Sequence, residues 1–174
     1  MPVIVVTGMP GSGKEEFLSV ARSMGIPFLR MGDLVREAHA SGAGAGSSLG
    51  EFASSERDRH GKHIWAERAM RRMHGKVFLV DGCRSMDEVM AYRGLGADIV
   101  IVGIHASPGT RYERLVRRAR EDAPRDIDEF DARDSRELSW GLGDVLALAD
   151  IMIDNSSTLE DFHERSGELL RRIR

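Results

Sequence analysis

The chain has 174 residues, enough to bury a real core and most simply one domain, and its 41% apolar and 30% charged composition suits an ordinary soluble protein. A net charge of −3 argues against nucleic-acid or anionic-membrane partners, and a lone cysteine, Cys83, excludes an internal disulfide. No apolar run reaches the ~18 residues of a membrane span, and the opening "PVIVV" is too short for a signal h-region, so a cytoplasmic protein is expected.

The first element is a short, doubly apolar strand, "VIVVT" (3–7), followed by "GMPGSGKEE" (8–16). A helix over 14–24 puts Phe17, Leu18 and Ala21 on one face, and Gly25 is placed to end it. "PFLRM" (27–31) is a second, shorter strand candidate. Residues 32–75 hold more than one helix with no strand between them, and include the Gly/Ala/Ser-rich loop "ASGAGAGSS" (40–48). Strands return at "VFLVD" (77–81) and "DIVIVGI" (98–104). Ser107 and Pro108 then suit an N-cap and first turn for a helix to about Arg120. Residues 120–137 carry 12 charged side chains in 18 and are expected to lie in solvent over the main body. The last strand is "DIMID" (150–154). Ser157 and Glu160 form a possible capping box before a stripe of Leu159, Phe162, Leu169, Leu170 and Ile173. Trp65 and Trp140 are expected to anchor helices onto the sheet. Strands alternating with helices predict an α/β fold, a parallel sheet covered on both faces.

Residues 8–14 spell G-x-x-x-x-G-K after a buried strand and at the start of an amphipathic helix. Gly8, Gly11 and Gly13 let the main chain close on phosphate oxygens, with Met9, Pro10 and Ser12 supplying the rest of the loop. Lys14 adds a point charge, and the helix aims its positive end at the same place. That context predicts a nucleoside triphosphate site. Asp81, at the end of an apolar strand and before Gly82, is either a Mg²⁺-water ligand or a turn former. The pattern usually places a Ser or Thr hydroxyl after the lysine, but here Glu15 follows. Its carboxylate faces phosphates of like sign unless it turns to solvent or shares a Mg²⁺ with them.

These residues resemble the nucleoside-monophosphate kinase group of P-loop proteins, adenylate kinases above all, and an archaeal family related to them. "MGDLVRE" (31–37) is similar to the stretch that holds the acceptor's phosphate, which implies Gly32, Asp33 and Arg36 at an acceptor site. "FLVDGCR" (78–84) resembles their strand-end Asp-Gly and following arginine, here Arg84. "ERLVRRAR" (113–120) is similar to the helix before their lid, which implies Arg114 against the donor base and Arg118 near the transferring phosphate. "ARDSRE" (132–137) resembles the lid's arginine pair, Arg133 and Arg136. "ADIMIDNSS" (149–157) is similar to dephospho-coenzyme A kinases. Three departures stand out: no hydroxyl follows Lys14, Met31 replaces a Thr, and the lid is short.

The resemblance implies a P-loop three-layer sandwich with a five-stranded parallel sheet and helices on both faces. It further implies a helical acceptor-binding insertion (32–75), a short lid (120–137), and a single domain over 1–174. The function implied is ATP- and Mg²⁺-dependent transfer of the γ-phosphate to a small phosphorylated or nucleotide-like acceptor such as a nucleoside monophosphate. Lys14, Arg84, Arg118, Arg133 and Arg136 would act on the phosphates, and Asp81 and Glu15 on the metal. Alternatives are a dephospho-coenzyme A kinase and a nucleotide-binding regulator or slow NTPase, although a pure sensor has no need of Arg36 and Arg84. Arg supplies 22 of the 25 basic residues, which suits either phosphate-gripping forks or a GC-rich genome. An arginine taken alone is more often a solvated charge, and Arg133 and Arg136 have ready partners in Asp131, Asp134 and Glu137. The histidines show no metal-ligand spacing, and Cys83 has no base to activate it.

Overall fold

Alternation along each strand decides which layer a side chain serves. In β1 (Pro2–Thr7), Val3 and Val5 enter one apolar core while Ile4 and Val6 enter the other. β3 (Phe78–Asp81) repeats the division, with Phe78 and Val80 on the first side and Leu79 on the second. A strand buried on both faces needs helices above and below it. The protein, a computed structural model describing residues 2–94, 96, 98–119 and 123–173, supplies them. Residues 120–122, which the sequence reading assigns to a helix end and the lid, lie outside the described residues.

With β2 (Phe28–Arg30), β4 (Asp98–His105) and β5 (Ile151–Asp154), the strands form one all-parallel sheet in the order β2-β3-β1-β4-β5. This is the α/β P-loop kinase fold. The second core is closed by α1 (Lys14–Ser23) and α9 (Leu159–Ile173), which bury Phe17, Leu18, Ala21, Phe162, Leu169 and Leu170. The first is closed by α2 (Met31–Ala38), α3 (Leu49–His60), α4 (Ile64–Met70), α5 (Met86–Gly94) and α8 (Leu142–Ala147). α6 (Pro108–Arg118) and α7 (Ile127–Ser139) pack beside the carboxyl end of the sheet, where Tyr112 meets Phe130.

Local chemistry sets the helix ends. Gly25, at φ +69°, terminates α1, and the Ile26 N–H reaches back to the Ala21 carbonyl at 3.0 Å. The Ser107 hydroxyl caps α6 ahead of Pro108, as predicted. Residues 32–75 fold as α2, a wide helical turn (His39–Ala43), α3 and α4. A reciprocal capping box between Ser48 and Glu51, unread in the sequence, starts α3.

Three expectations need correction. The start of α9 is capped by Thr158, whose hydroxyl accepts from the Asp161 N–H at 3.2 Å, and not by a Ser157–Glu160 box; Ser157 instead donates to the Asp161 carboxylate. Leu159 is more than half exposed and lies outside the buried stripe. The charged segment does not simply lie in solvent. Asp126 caps α7, and Phe130 buries completely between Tyr112 and the Arg111 guanidinium. One buried aromatic suffices to seat a helix whose other apolar residues, Ile127, Ala132 and Leu138, stay exposed.

Trp65 is fully buried and donates its Nε1–H to the Ala53 carbonyl at 3.3 Å, joining α4 to α3. Trp65→Ala should therefore lower unfolding free energy by about 3–5 kcal/mol in urea titrations followed by circular dichroism. A loss below 1 kcal/mol would show that α3 and α4 are not part of the cooperative core.

Candidate active site

The carboxyl ends of β1, β2 and β3 converge where an open parallel sheet offers its crevice. Register aligns Arg30 of β2 with Asp81 of β3, and Asp81 with Val6 of β1. The Thr7 hydroxyl donates to the Cys83 carbonyl at 3.3 Å and ties the β1 and β3 exits together.

The loop after β1 is a cradle held from behind. Gly13 sits at φ +108°, and a Cβ there would come within 2.1 Å of Asn155 Nδ2. Gly8 is confined for a different reason: its Cβ would lie 2.6 Å from the Ile104 carbonyl. Asn155, just past β5, donates Nδ2–H to the Ser12 carbonyl at 2.8 Å, while its own N–H reaches His105 at 2.7 Å. Arg114 donates to the Asn155 carbonyl at 2.8 Å. Arg111, only 4% exposed, donates to the Pro10 carbonyl at 3.0 Å and forms a two-pronged pair with Asp134 of α7. Lys14 directs its ammonium inward, 2.6 Å from the Gly8 carbonyl. Burial pulls the Lys14 pKa down, and the facing Asp81 and Glu137 carboxylates only partly offset this.

On the other wall, Asp81 is buried, and its Oδ1 has no hydrogen-bond partner among the described residues. Desolvation pushes its carboxyl above the ordinary 3.8, with Lys14 pulling back and the Glu15 charge pushing further. Arg84 donates Nε–H to Glu137 at 2.8 Å, and its guanidinium lies 5.1 Å over the Trp140 ring. Its backbone N–H goes to the buried Glu88, which also pairs with Arg57 of α3 at 3.6 Å. Arg36 folds onto Asp33.

A cleft of about 620 Å³ runs between these walls. It brings together Gly8, Pro10, Gly11, Gly13, Lys14, Glu15, Gly32, Arg36, Asp81, Arg84, Arg114, Arg118 and Arg133. Met9 and Ser12, expected at the nucleotide site, are not among the lining residues, and Ser12 is buried. Asp33 serves Arg36, and Arg136 is exposed and outside the lining, so the expected lid pair is represented there by Arg133 alone. Two of the three carboxylates expected to neutralise that pair are engaged elsewhere: Asp134 holds Arg111, and Glu137 holds Arg84. Trp140 is no sheet anchor; it is half-buried and stacked against Arg84 and Arg57. Met31, standing where a Thr is expected, is core: it is buried and accepts the Tyr92 hydroxyl at 3.3 Å.

Glu15 has a partner that the sequence reading did not include. Its carboxylate lies 2.7 Å from Arg30 Nη2. At ~4 Å and an effective dielectric near 20, a bare carboxylate would repel each phosphate charge by roughly 4 kcal/mol, and a guanidinium in contact offsets that. Sequence reasoning missed Arg30, Arg111 and Asn155. Arg30 and Asn155 stand at strand ends, where side chains turn toward the crevice, and that position is the signal that could have found them. Arg111 carries no such local mark.

The donor set fits a divalent cation brought in with a nucleotide. The orphaned Asp81 oxygen and the nearby Glu15 are hard ligands, while no three acidic, histidine or cysteine side chains cluster into a metal cage among the described residues.

A family model described as an AAA domain matches residues 7–131. The UPF0200 protein of Thermoplasma volcanium is 45% identical over 172 residues, spanning 97% of this chain and 96% of that protein. Among solved structures, shikimate kinase from Bacteroides thetaiotaomicron superposes with a TM-score of 0.66 at 17% identity, covering 98% of each chain. A gluconokinase from Sinorhizobium meliloti 1021 gives 0.62 at 17% identity, over 99% of this chain and 93% of that one. These two likenesses establish the fold.

Two outcomes follow from this geometry. An acid whose pKa is raised by burial stabilises the fold in its protonated form, so stability is fullest below the unfolded value and is lost as pH rises through the folded one. Asp81→Asn should therefore raise the melting temperature at pH 7, with the gain vanishing as pH falls toward 4, and should weaken Mg²⁺-nucleotide binding. An unchanged or lower melting temperature at pH 7 would contradict the desolvation argument. Asp134→Ala strands the buried Arg111 charge and should cost about 3–5 kcal/mol in chemical unfolding; Arg111→Met with Asp134→Leu should recover most of that loss.

Proposed function

The chain belongs to the UPF0200 family and has a P-loop kinase fold, and on that premise we propose that it is an ATP-dependent phosphotransferase acting on a small, phosphorylated or nucleotide-like acceptor. The single observation that carries this reading is the two-sided placement of cations in one cleft. Lys14, at the start of the helix after β1, and Arg118 and Arg133, from α6 and α7, line it together with Arg36 and Arg84, which follow β2 and β3. A regulator that only senses nucleotide has no use for the second set.

The cradle's main-chain N–H groups and Lys14 would hold the β- and γ-phosphates, with Arg114 near the base. Mg²⁺, bound with ATP and held by Asp81 and Glu15, would neutralise phosphate charge and orient the γ-phosphoryl group. Arg36 and Arg84 would fix the acceptor's anionic oxygen in line with it. Arg118 and Arg133 would spread positive charge around the migrating group. An acceptor oxygen that is already anionic needs no general base, which favours a phosphate oxygen over an alcohol. α7, which carries Glu137 and Arg133 over the cleft, would exclude water and so favour transfer over hydrolysis.

Nucleoside monophosphates, dephospho-coenzyme A, shikimate and gluconate should be screened for ATP-dependent phosphorylation, with a nucleoside monophosphate expected as acceptor. Lys14→Ala should weaken ATP binding by about 1.5–3 kcal/mol in calorimetry and lower turnover with it. Full ATP affinity in that variant would remove the cradle assignment. Arg84→Ala should raise the acceptor KM or lower kcat while leaving ATP affinity nearly unchanged.

A further inference from the structure

Arg30 lies on the seam between the two halves of the cleft. It is the last residue of β2, in register with Asp81, and its extended backbone leads directly into α2. The next residue, Met31, is buried in the core, which fixes where the chain leaves the sheet and hence where the Arg30 stem begins. The guanidinium carbon lies 5.5 Å over the centre of the Phe28 ring. The head reaches across to α1 and meets Glu15 at 2.7 Å, and Asp33 stands 4.0 Å from its Nη1. Both Arg30 and Glu15 line the same cleft as Asp81, Arg36 and Arg84.

A guanidinium carries five N–H donors. Among the described residues, that of Arg30 makes one hydrogen bond, to Glu15, and its Nε is buried with no acceptor. Glu15 stands where a nucleotide loop ordinarily offers a hydroxyl, and at the end of β2 this chain has a cation to meet it. A counter-ion alone could be a lysine reaching from any nearby surface. A planar fork anchored by an aromatic ring and a carboxylate is instead preorganised to take a second oxyanion beside the first.

We propose that Arg30 is an acceptor-binding residue that takes an anionic oxygen of the acceptor, and that Glu15 is the residue that positions it. The proposal deepens the phosphotransferase reading above and rests on it. It narrows the acceptor to molecules bearing their own oxyanion, either a phosphate ester or a carboxylate. It also makes the Glu15–Arg30 pair a link between the two half-sites: Arg30 screens Glu15 from the nucleotide's phosphates and presents its remaining donors to the acceptor.

Isothermal titration calorimetry in the presence of Mg²⁺ and a non-hydrolysable ATP analogue tests this without turnover. AMP and dephospho-coenzyme A represent phosphate esters, and shikimate and gluconate represent carboxylates; the wild-type protein should bind one of these classes. Arg30→Ala should weaken that binding about tenfold or more, and Arg30→Lys should restore only part of it, because an ammonium lacks the fork. Without Mg²⁺, Arg30→Ala should weaken the ATP analogue by leaving Glu15 unscreened, and adding Glu15→Gln should recover part of that loss. With Mg²⁺ and saturating analogue, the acceptor affinity of the double variant should stay low. Thermal melts confirm that each variant is folded. If the double variant regains acceptor binding, Arg30 is only a counter-ion for Glu15 and the proposal fails. It fails equally if Arg30→Ala keeps full acceptor affinity while Arg36→Ala loses it, an outcome that leaves the phosphotransferase reading intact. If no probe of either class binds the wild-type protein, the anionic-acceptor reading itself falls, and this proposal with it.

Discussion

Positive charge gathered in one crevice has to be held apart, and the fold does this by giving cleft guanidiniums carboxylates of their own. Glu15 meets Arg30, Asp33 meets Arg36, and Glu137 meets Arg84. Behind the cradle, Asp134 meets Arg111. The described lining holds eight cationic side chains against four carboxylates, so pairing tempers the excess without removing it. Unpaired, half-buried guanidiniums would repel one another and swing toward water; paired, each is fixed on its own helix or strand end. An incoming anion then competes with a carboxylate already in place. That favours ligands with several charges and good geometry over stray small ions, and makes recognition an exchange of partners. Polyphosphates meet that demand.

The same pairs join elements that are far apart in the chain. Glu137 brings α7 onto the loop after β3, and Asp134 brings α7 onto α6 and the cradle through Arg111. Trp140 sits between Arg84 and Arg57, so the end of α7 also leans on α3. Beneath this surface Glu88 accepts the Arg84 backbone N–H and pairs with Arg57, and its burial raises its pKa. A shift of α7 would disturb both walls of the cleft at once. The polar segment is thus a clamp as much as a cover, seated by Phe130 and steered by its acids.

Much of the architecture was legible in the chain. Four apolar runs and a weaker fifth at 27–31 marked the five strands, most plainly β1 and β3, whose apolar residues fill both cores. Gly25 and the Ser107-Pro108 pair marked helix ends, because those residues suit the backbone there. The cradle was legible for the same kind of reason: Gly8 and Gly13 answer close contacts and a backbone angle that other residues resist. The opening of α9 was misread because Ser157 and Thr158 are chemically alike, and only the turn's geometry chooses between them.

Side-chain partnerships were decided by the tertiary structure alone. In sequence, Asp134 and Glu137 sit beside Arg133 and Arg136 and read as their partners; in space they turn to Arg111 and Arg84, 23 and 53 residues away. Glu15 gains a partner that the two expected directions, water and metal, did not include, because β2 ends with Arg30 beside it. Asn155 lies 143 residues from the Ser12 carbonyl it holds, and no local pattern announces the contact. Sequence fixes what depends on near neighbours: periodicity, caps, and the glycines of a tight loop. A charge's partner depends on which strand ends and helices the sheet order brings within 3 Å, and that order is a property of the whole fold.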